Sequence, residues 1–220
     1  MVITLPDFEK AFDYENNFYL SCSNSRIGKF IIHYEIVTKI KDIPGAIVEC
    51  GVFKGTSLMR FAGFRELFEQ GSSRDIIAFD TFSAFPGAGF SKDKEPLEQF
   101  IADAGDQSIS VSQLRKVLRH KGVNHGVELV AGDINQTVPD FAKKHPRSRI
   151  SLLHLDVDLY EPSVTILRYL YPLLVRGGIL LLDDYGVFPG ETRAVDEYFK
   201  GNISLERFSF SKTPVWMVKK

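Results

Sequence analysis

The chain has 220 residues, enough for one domain with a sizeable core. Its 44% hydrophobic and 25% charged residues are those of an ordinary soluble globular protein, and no apolar run approaches the ~18 residues of a membrane span. A net charge of -1 gives no electrostatic pull toward nucleic acid or an anionic membrane, so any ligand must be argued from a site.

Residues 1–24 carry Phe8, Phe12, Tyr14, Phe18 and Tyr19 without a clean period. This arm either docks on its own core or touches a partner subunit, which leaves a homo-oligomer open. The first residues offer neither a basic n-region nor an apolar h-region, so no secretory signal is expected. Cys22 and Cys50 are too few for a disulfide framework, and cytoplasmic residence is the default. Cys50 sits in an apolar run and reads as a buried small hydrophobe.

Ile27, Phe30, Ile31, Tyr34, Val37 and Ile40 follow helical spacing, which predicts an amphipathic helix over 25–41. Pro44 and Gly45 end it. A strand is predicted over 46–50, then the turn Gly51-Val52-Phe53-Lys54-Gly55. Thr56 or Ser57 caps a helix reaching Glu69. A second strand covers 76–79 and closes on Asp80 and Thr81. Residues 83–109 have scattered glycines and charges with little periodicity; a connection of that length reads as a lid or substrate loop. A short helix within it is allowed. Ser110 caps the next helix, a third strand spans 127–130 and ends at Asp133, and Val138 with Phe141 marks a short helix. The fourth strand is 150–155, Pro162 opens a helix, the fifth strand is 179–182, and a helix spans 191–200. Segments 206–209 and 215–219 read as final strands. Only a short turn separates them, so they pair antiparallel.

Strand and helix alternate along most of the chain. The fold expected is α/β: a Rossmann-like, doubly wound, mostly parallel seven-stranded sheet with a C-terminal antiparallel hairpin. It forms a single domain, with 1–43 as N-terminal arm and helix.

The chemistry lies at strand ends, where α/β proteins place it. Leu155-Asp156-Val157-Asp158 and Leu182-Asp183-Asp184 bring four aspartates to two such ends. Unpaired carboxylates so close repel, so they either protonate or hold a cation. Oxygen-only ligands point to Mg²⁺, Mn²⁺ or Ca²⁺ and away from zinc. Glu49, Asp80 and Asp133 add an acid after each of the first three strands, a pattern that suits S-adenosylmethionine. The dinucleotide fingerprint Gly-x-Gly-x-x-Gly is missing. His154, inside an apolar run, reads as a core or supporting histidine. His33, His120, His125 and His145 read as surface residues.

With these residues assembled, the chain resembles the macrocin O-methyltransferase family of S-adenosylmethionine-dependent, metal-dependent sugar O-methyltransferases. The matching stretches are Pro44-Gly45 through Gly55-Thr56-Ser57, Phe79-Asp80-Thr81-Phe82, Leu155-Asp156-Val157-Asp158-Leu159-Tyr160 and Gly177-Gly178 through Asp183-Asp184-Tyr185. The resemblance implies Asp156, Asp183 and Asp184 as metal ligands and Asp158 as general base. It implies Glu49, Gly51, Ser57, Asp80 and Asp133 at the cofactor, with Gly55, Thr56, Thr81 and Asp156 beside them. It also implies a small-molecule hydroxyl acceptor with an adjacent oxygen, a sugar or glycosylated natural product. A non-catalytic cofactor-binding protein and a catechol-type O-methyltransferase are the alternatives.

Overall fold

Successive residues of a strand face opposite sides of its sheet, and here both sides are apolar. The computed structural model describes residues 3–69 and 74–220. Its strands are β1 (Ala46–Cys50), β2 (Ile76–Asp80), β3 (Val127–Ala131), β4 (Ile150–Leu155), β5 (Leu174–Leu182) and β6 (Val215–Val218). They form one sheet in the order β3-β2-β1-β4-β5-β6, parallel except for β6, which runs antiparallel to β5.

Ile47, Ile76, Leu152 and Ile179 enter one core, under α2 (Asn24–Ile40), α3 (Thr56–Glu69) and α5 (Val111–His120). Their sequence neighbours Val48, Ile77, Leu153 and Leu180 enter a second core on the other face, under α6 (Ile134–Lys144), α7 (Tyr160–Tyr169) and α8 (Pro189–Phe199). Both faces must therefore be covered. Each fully buried Leu, Ile or Phe is worth about 1.5–3 kcal/mol against exposure. Cys50 is buried in the second core, as its apolar setting predicts.

Three expectations need correction. The sheet has six strands. Segment 206–209 contributes only Glu206, which exchanges both backbone hydrogen bonds with Trp216 at 2.7 and 2.9 Å. The chain then turns, Ser211 N donating to Phe208 O, so no further ladder can form. The expected face of α2 is also rotated. Ile32, His33, Ile36, Val37 and Ile40 are buried, while Phe30 and Tyr34 set their rings against Phe64 of α3. His33, expected at the surface, is fully buried.

Residues 8–21 are helical, a 3₁₀ turn followed by α1 (Ala11–Ser21), and none is buried. Lacking an inward face, this arm shows no hydrophobic period. Segment 83–109 holds α4 (Lys94–Ala104), and a bridge between Ala84 and Gln107 closes its base. Among the described residues no helix is long and apolar enough to cross a membrane.

Arg74 fixes the tilt of α2. Its buried guanidinium donates to the carbonyls of Ile40 and Lys41 at the end of that helix, and to Ile43 O and Gly45 O just before β1. The C-terminus of α2 is thus tied to the amino edge of the sheet. Its N-terminus lies at the carboxyl edge.

Candidate active site at the carboxyl edge of the sheet

The chain steps outward from β1 to β2 and β3, then returns to the other side of β1 for β4. At such a reversal the loops diverge and leave a crevice beyond the strand ends. A cavity of about 1080 Å³ opens there. Sites for one drug-sized ligand occupy roughly 300–1,000 Å³, so this one can take a nucleoside cofactor beside an acceptor. Gly51, Thr56, Ser57, Asp80, Thr81, Asp133, Asp156, Asp158, Asp183 and Asp184 all line it. Glu49 and Gly55 do not.

The turn after β1 is built around Asp80. One carboxylate oxygen accepts from the amides of Val52 (2.8 Å) and Phe53 (3.0 Å), the other from Phe82 N (2.6 Å). Asp80 therefore ties the β1 turn to the end of β2. Gly51 has φ +94°, and a Cβ there would collide with the carbonyl oxygen of Asp156. Only glycine lets the β1 and β4 ends approach this closely. Asp133 caps α6 by accepting from Asn135 N at 2.8 Å.

Asp158 sits at φ +63°, a conformation that costs an L-residue roughly 1–2 kcal/mol. Leu159 N closes a tight turn on Val157 O at 2.6 Å. Strain of this kind persists where surrounding structure holds a functional group in place. The turn brings an Asp158 oxygen within 4.8 Å of oxygens on Asp156 and Asp184. Asp183, adjacent in sequence to Asp184, already has partners of its own. One of its oxygens takes the Lys29 amine of α2, and the other lies 3.3 Å from His154 Nε2. His154 Nδ1 in turn meets Glu49 Oε1 at 3.2 Å, so both ring nitrogens of this buried histidine are engaged, as a core histidine requires. Of the three expected metal ligands, the structure thus clusters Asp156 and Asp184, adds Asp158, and gives Asp183 to Lys29 and His154.

Two electrostatic groups result. In the first, two carboxylates, Asp183 and Glu49, face two cations. Burial alone would raise Asp183, yet Lys29 and His154 hold it well below the usual carboxylate range. Burial would lower Lys29 and His154, but the charges of Asp156 and Asp183 hold the amine above its ordinary value. Hydrogen bonds to Asp183 and Glu49 raise His154 to about 10.

The second group has no cation of its own. Burial and then the charge of Asp183 push Asp156 up to about 7. Burial pushes Asp158 up to about 6, although a hydrogen bond shared with Asp184 pulls the other way. Burial, then neighbouring carboxylates, hold Asp184 and Glu191 well above their usual range. Glu191 is fully buried; one oxygen accepts from Asp184 N at 3.1 Å and the other has no partner among the described residues. Only Asp156 has a cation near it, His154 Nε2 at 3.8 Å, and a crowded set of oxygen donors with so little counter-charge fits a hard divalent cation.

Lys29 and Glu191 carry no signal in the sequence. Each is one charged residue on a helix, and only the packing of α2 and α8 brings it to the aspartates.

The chain matches the family model described as Macrocin-O-methyltransferase (TylF) over residues 19–210. It is 26% identical over 162 residues to mycinamicin III 3''-O-methyltransferase of Micromonospora griseorubida, covering 71% of this chain and 61% of that one. It is 28% identical over 160 residues to 8-demethyl-8-(2,3-dimethoxy-alpha-L-rhamnosyl)-tetracenomycin-C 4'-O-methyltransferase of Streptomyces olivaceus, covering 71% and 59%. The chain therefore spans about six tenths of the length of these curated relatives. The crystal structure of the calicheamicin methyltransferase CalS11 superposes with a TM-score of 0.77 at 24% identity, covering 98% of this chain and 86% of that one, a likeness of fold. A family match over most of the chain, on a fold shared with class I methyltransferases, places this protein in the macrocin O-methyltransferase family.

Proposed function

We propose that the chain is an S-adenosylmethionine-dependent O-methyltransferase. Its acceptor is a hydroxyl of a sugar or glycosylated natural product with an adjacent oxygen, and it requires a divalent cation, Mg²⁺ first among them. One observation carries the reading. A single cavity joins the residues around β1–β3 expected at the cofactor to the aspartates that end β4 and β5. The names of the two relatives support O-methyl transfer, and one of them specifies a rhamnosyl compound.

Asp156, Asp183 and Asp184 would hold the cation, which when bound lowers the pKa of a hydroxyl it touches. Asp183 keeps free lone pairs beside its contacts with Lys29 and His154. Lys29 and His154 orient the Asp183 carboxylate, and Glu191 fixes the Asp184 backbone. Asp158, held over the cavity by its left-handed turn, takes the acceptor proton. Asp80 and Gly51 shape the turn that faces the methyl donor. The protein thus contributes alignment and fixed charge.

The test is methylation of a vicinal-diol hexoside, read by mass spectrometry, with excess EDTA and after restoring Mg²⁺. Undiminished turnover in EDTA removes the metal role. Failure to bind S-adenosylhomocysteine by calorimetry removes the methyltransferase reading altogether. Asp158→Asn should lower kcat by roughly 10²–10⁴, the range of one general base, with cation affinity retained. A loss of cation affinity would instead make Asp158 a metal ligand in place of Asp183.

A further inference from the structure

We infer that Arg26 and Arg60 form an oxyanion subsite on the cavity wall, and that it takes a phosphate or carboxylate which the acceptor carries besides the hydroxyl it offers. The inference takes the word acceptor from the methyl-transfer reading above, but the subsite can be tested by binding alone.

The placement follows from two helices. Lys29 and Arg26 lie three apart on α2 and share a face. Lys29 reaches Asp183. The N-terminus of α2 points away from the sheet, so Arg26 stands one turn, roughly 5 Å, further out above the carboxyl edge. Arg60, one turn into α3, has its guanidinium 5.8 Å from the ring centre of Phe30. Both arginines line the same cavity as the aspartates.

Among the described residues neither guanidinium forms an ion pair or a hydrogen bond. The contrast with the remaining inward arginines is sharp. Arg65 donates to the carbonyls of Arg74 and Val123 and pairs with Glu66, and Arg74 donates to several carbonyls and pairs with Glu69. Burial and then the charge of Arg26 draw Arg60 below its ordinary pKa, while Asp183 and Glu49 pull the other way without reaching its guanidinium. Two unpaired guanidinium groups held together at a cavity wall are relieved by an anion. Their planar forks suit a phosphate or carboxylate in particular.

The experiment compares a neutral methyl hexoside, the corresponding hexose 1-phosphate, a nucleoside diphosphate hexose and a hexuronate as acceptors for the full chain with S-adenosylmethionine and Mg²⁺. An anionic acceptor should show a KM lower by about tenfold or more, the factor one charge-assisted hydrogen bond supplies. Which of them gains most tells phosphate from carboxylate. Arg26→Gln, at an exposed position, and Arg60→Gln should each collapse that preference, and Arg60→Lys should restore part of it. Equal KM values for neutral and anionic acceptors would overturn the inference while leaving methyl transfer intact. So would an Arg26→Gln effect confined to the KM for S-adenosylmethionine, which would assign the pair to the cofactor's carboxylate. If no acceptor is methylated, calorimetry with inorganic pyrophosphate on the S-adenosylhomocysteine complex decides. Binding that Arg26→Gln weakens upholds the subsite and only the methyl-transfer reading falls; no binding sinks the inference.

Discussion

His33 and His154 are neighbouring rings, 5.5 Å between centres, with opposite fates. His154 has a carboxylate at each nitrogen and holds its proton. His33 stacks on Phe61, and neither of its nitrogens has a partner among the described residues. Burial, and then the charge of His154, keep it neutral, well below its ordinary value. Unfolded, this imidazole takes a proton near pH 6.5; folded, only far lower, so protonation favours the unfolded chain. His33 therefore adds no pH-dependent cost above about pH 6.5 and destabilises progressively below it. His33→Leu should gain on the wild type by about 2 kcal/mol between pH 7 and pH 5, read from paired urea melts. Parallel pH profiles of the two proteins would show that His33 titrates normally in the fold. The sequence hides this residue because a lone histidine on a helix reveals its burial only through the face it turns inward, and the aromatic residues of α2 suggest the wrong face. The four aspartates are legible for the opposite reason. They end apolar runs, and a strand end fixes where a side chain must be. The split between them is not legible, since Lys29 and Glu191 arrive from helices whose packing the local pattern does not encode.

Among the elements, the strands and most helices are legible because each buried strand is a short apolar run and some helices begin at a recognisable cap, such as the Ser110–Gln113 capping box of α5 and Asp133 of α6. The strand expected at 206–209 fails on tertiary grounds: one bridge to Trp216 precedes a turn that the local pattern does not forbid. Segment 83–109 reads in sequence as a lid or loop, and its anchor is invisible there. Asp93 is fully buried, accepting from Tyr160 N at 3.0 Å and Gly190 N at 2.7 Å, in the first turns of α7 and α8. A carboxylate there satisfies two free amides and complements two helix dipoles. Gly190 is part of the same device, since a Cβ would run into the Asp93 carboxylate. Asp93→Ala should therefore cost about 2–3 kcal/mol, from two charge-assisted hydrogen bonds and their orphaned donors. Gly190→Ala should loosen the same contact. Hydrogen exchange is the check: both variants should speed exchange across 91–104 while the amides of β4 stay protected. Uniform acceleration through the sheet would mean that Asp93 supports the whole fold and does not anchor this segment in particular.

At the scale of the molecule, two separate cores face opposite sides of one sheet and leave their shared carboxyl edge to acids. Asp156, Asp158, Asp184 and Glu191 have no cation among themselves, and burial with mutual repulsion is what raises their pKa values. The metal-free protein therefore carries a destabilising cluster at the point where β1, β4 and β5 end. If these oxygens seat a divalent cation, binding and global stability are linked: at a hundredfold excess over Kd the gain is about 2.7 kcal/mol. For a chain of this size that is a rise of roughly 5–10 °C in Tm. Asp156→Asn separates the two terms. It removes one repelling charge, so its Tm in EDTA should equal or exceed that of the wild type. It also removes a ligand, so its Mg²⁺-induced rise should shrink to a degree or two, which corresponds to about two decades of lost affinity. Calorimetric scans of both proteins, in EDTA and in excess Mg²⁺, give all four values. Identical wild-type transitions in EDTA and Mg²⁺ would mean that the carboxylates resolve their repulsion by sharing protons, and the cation would have no place at this edge.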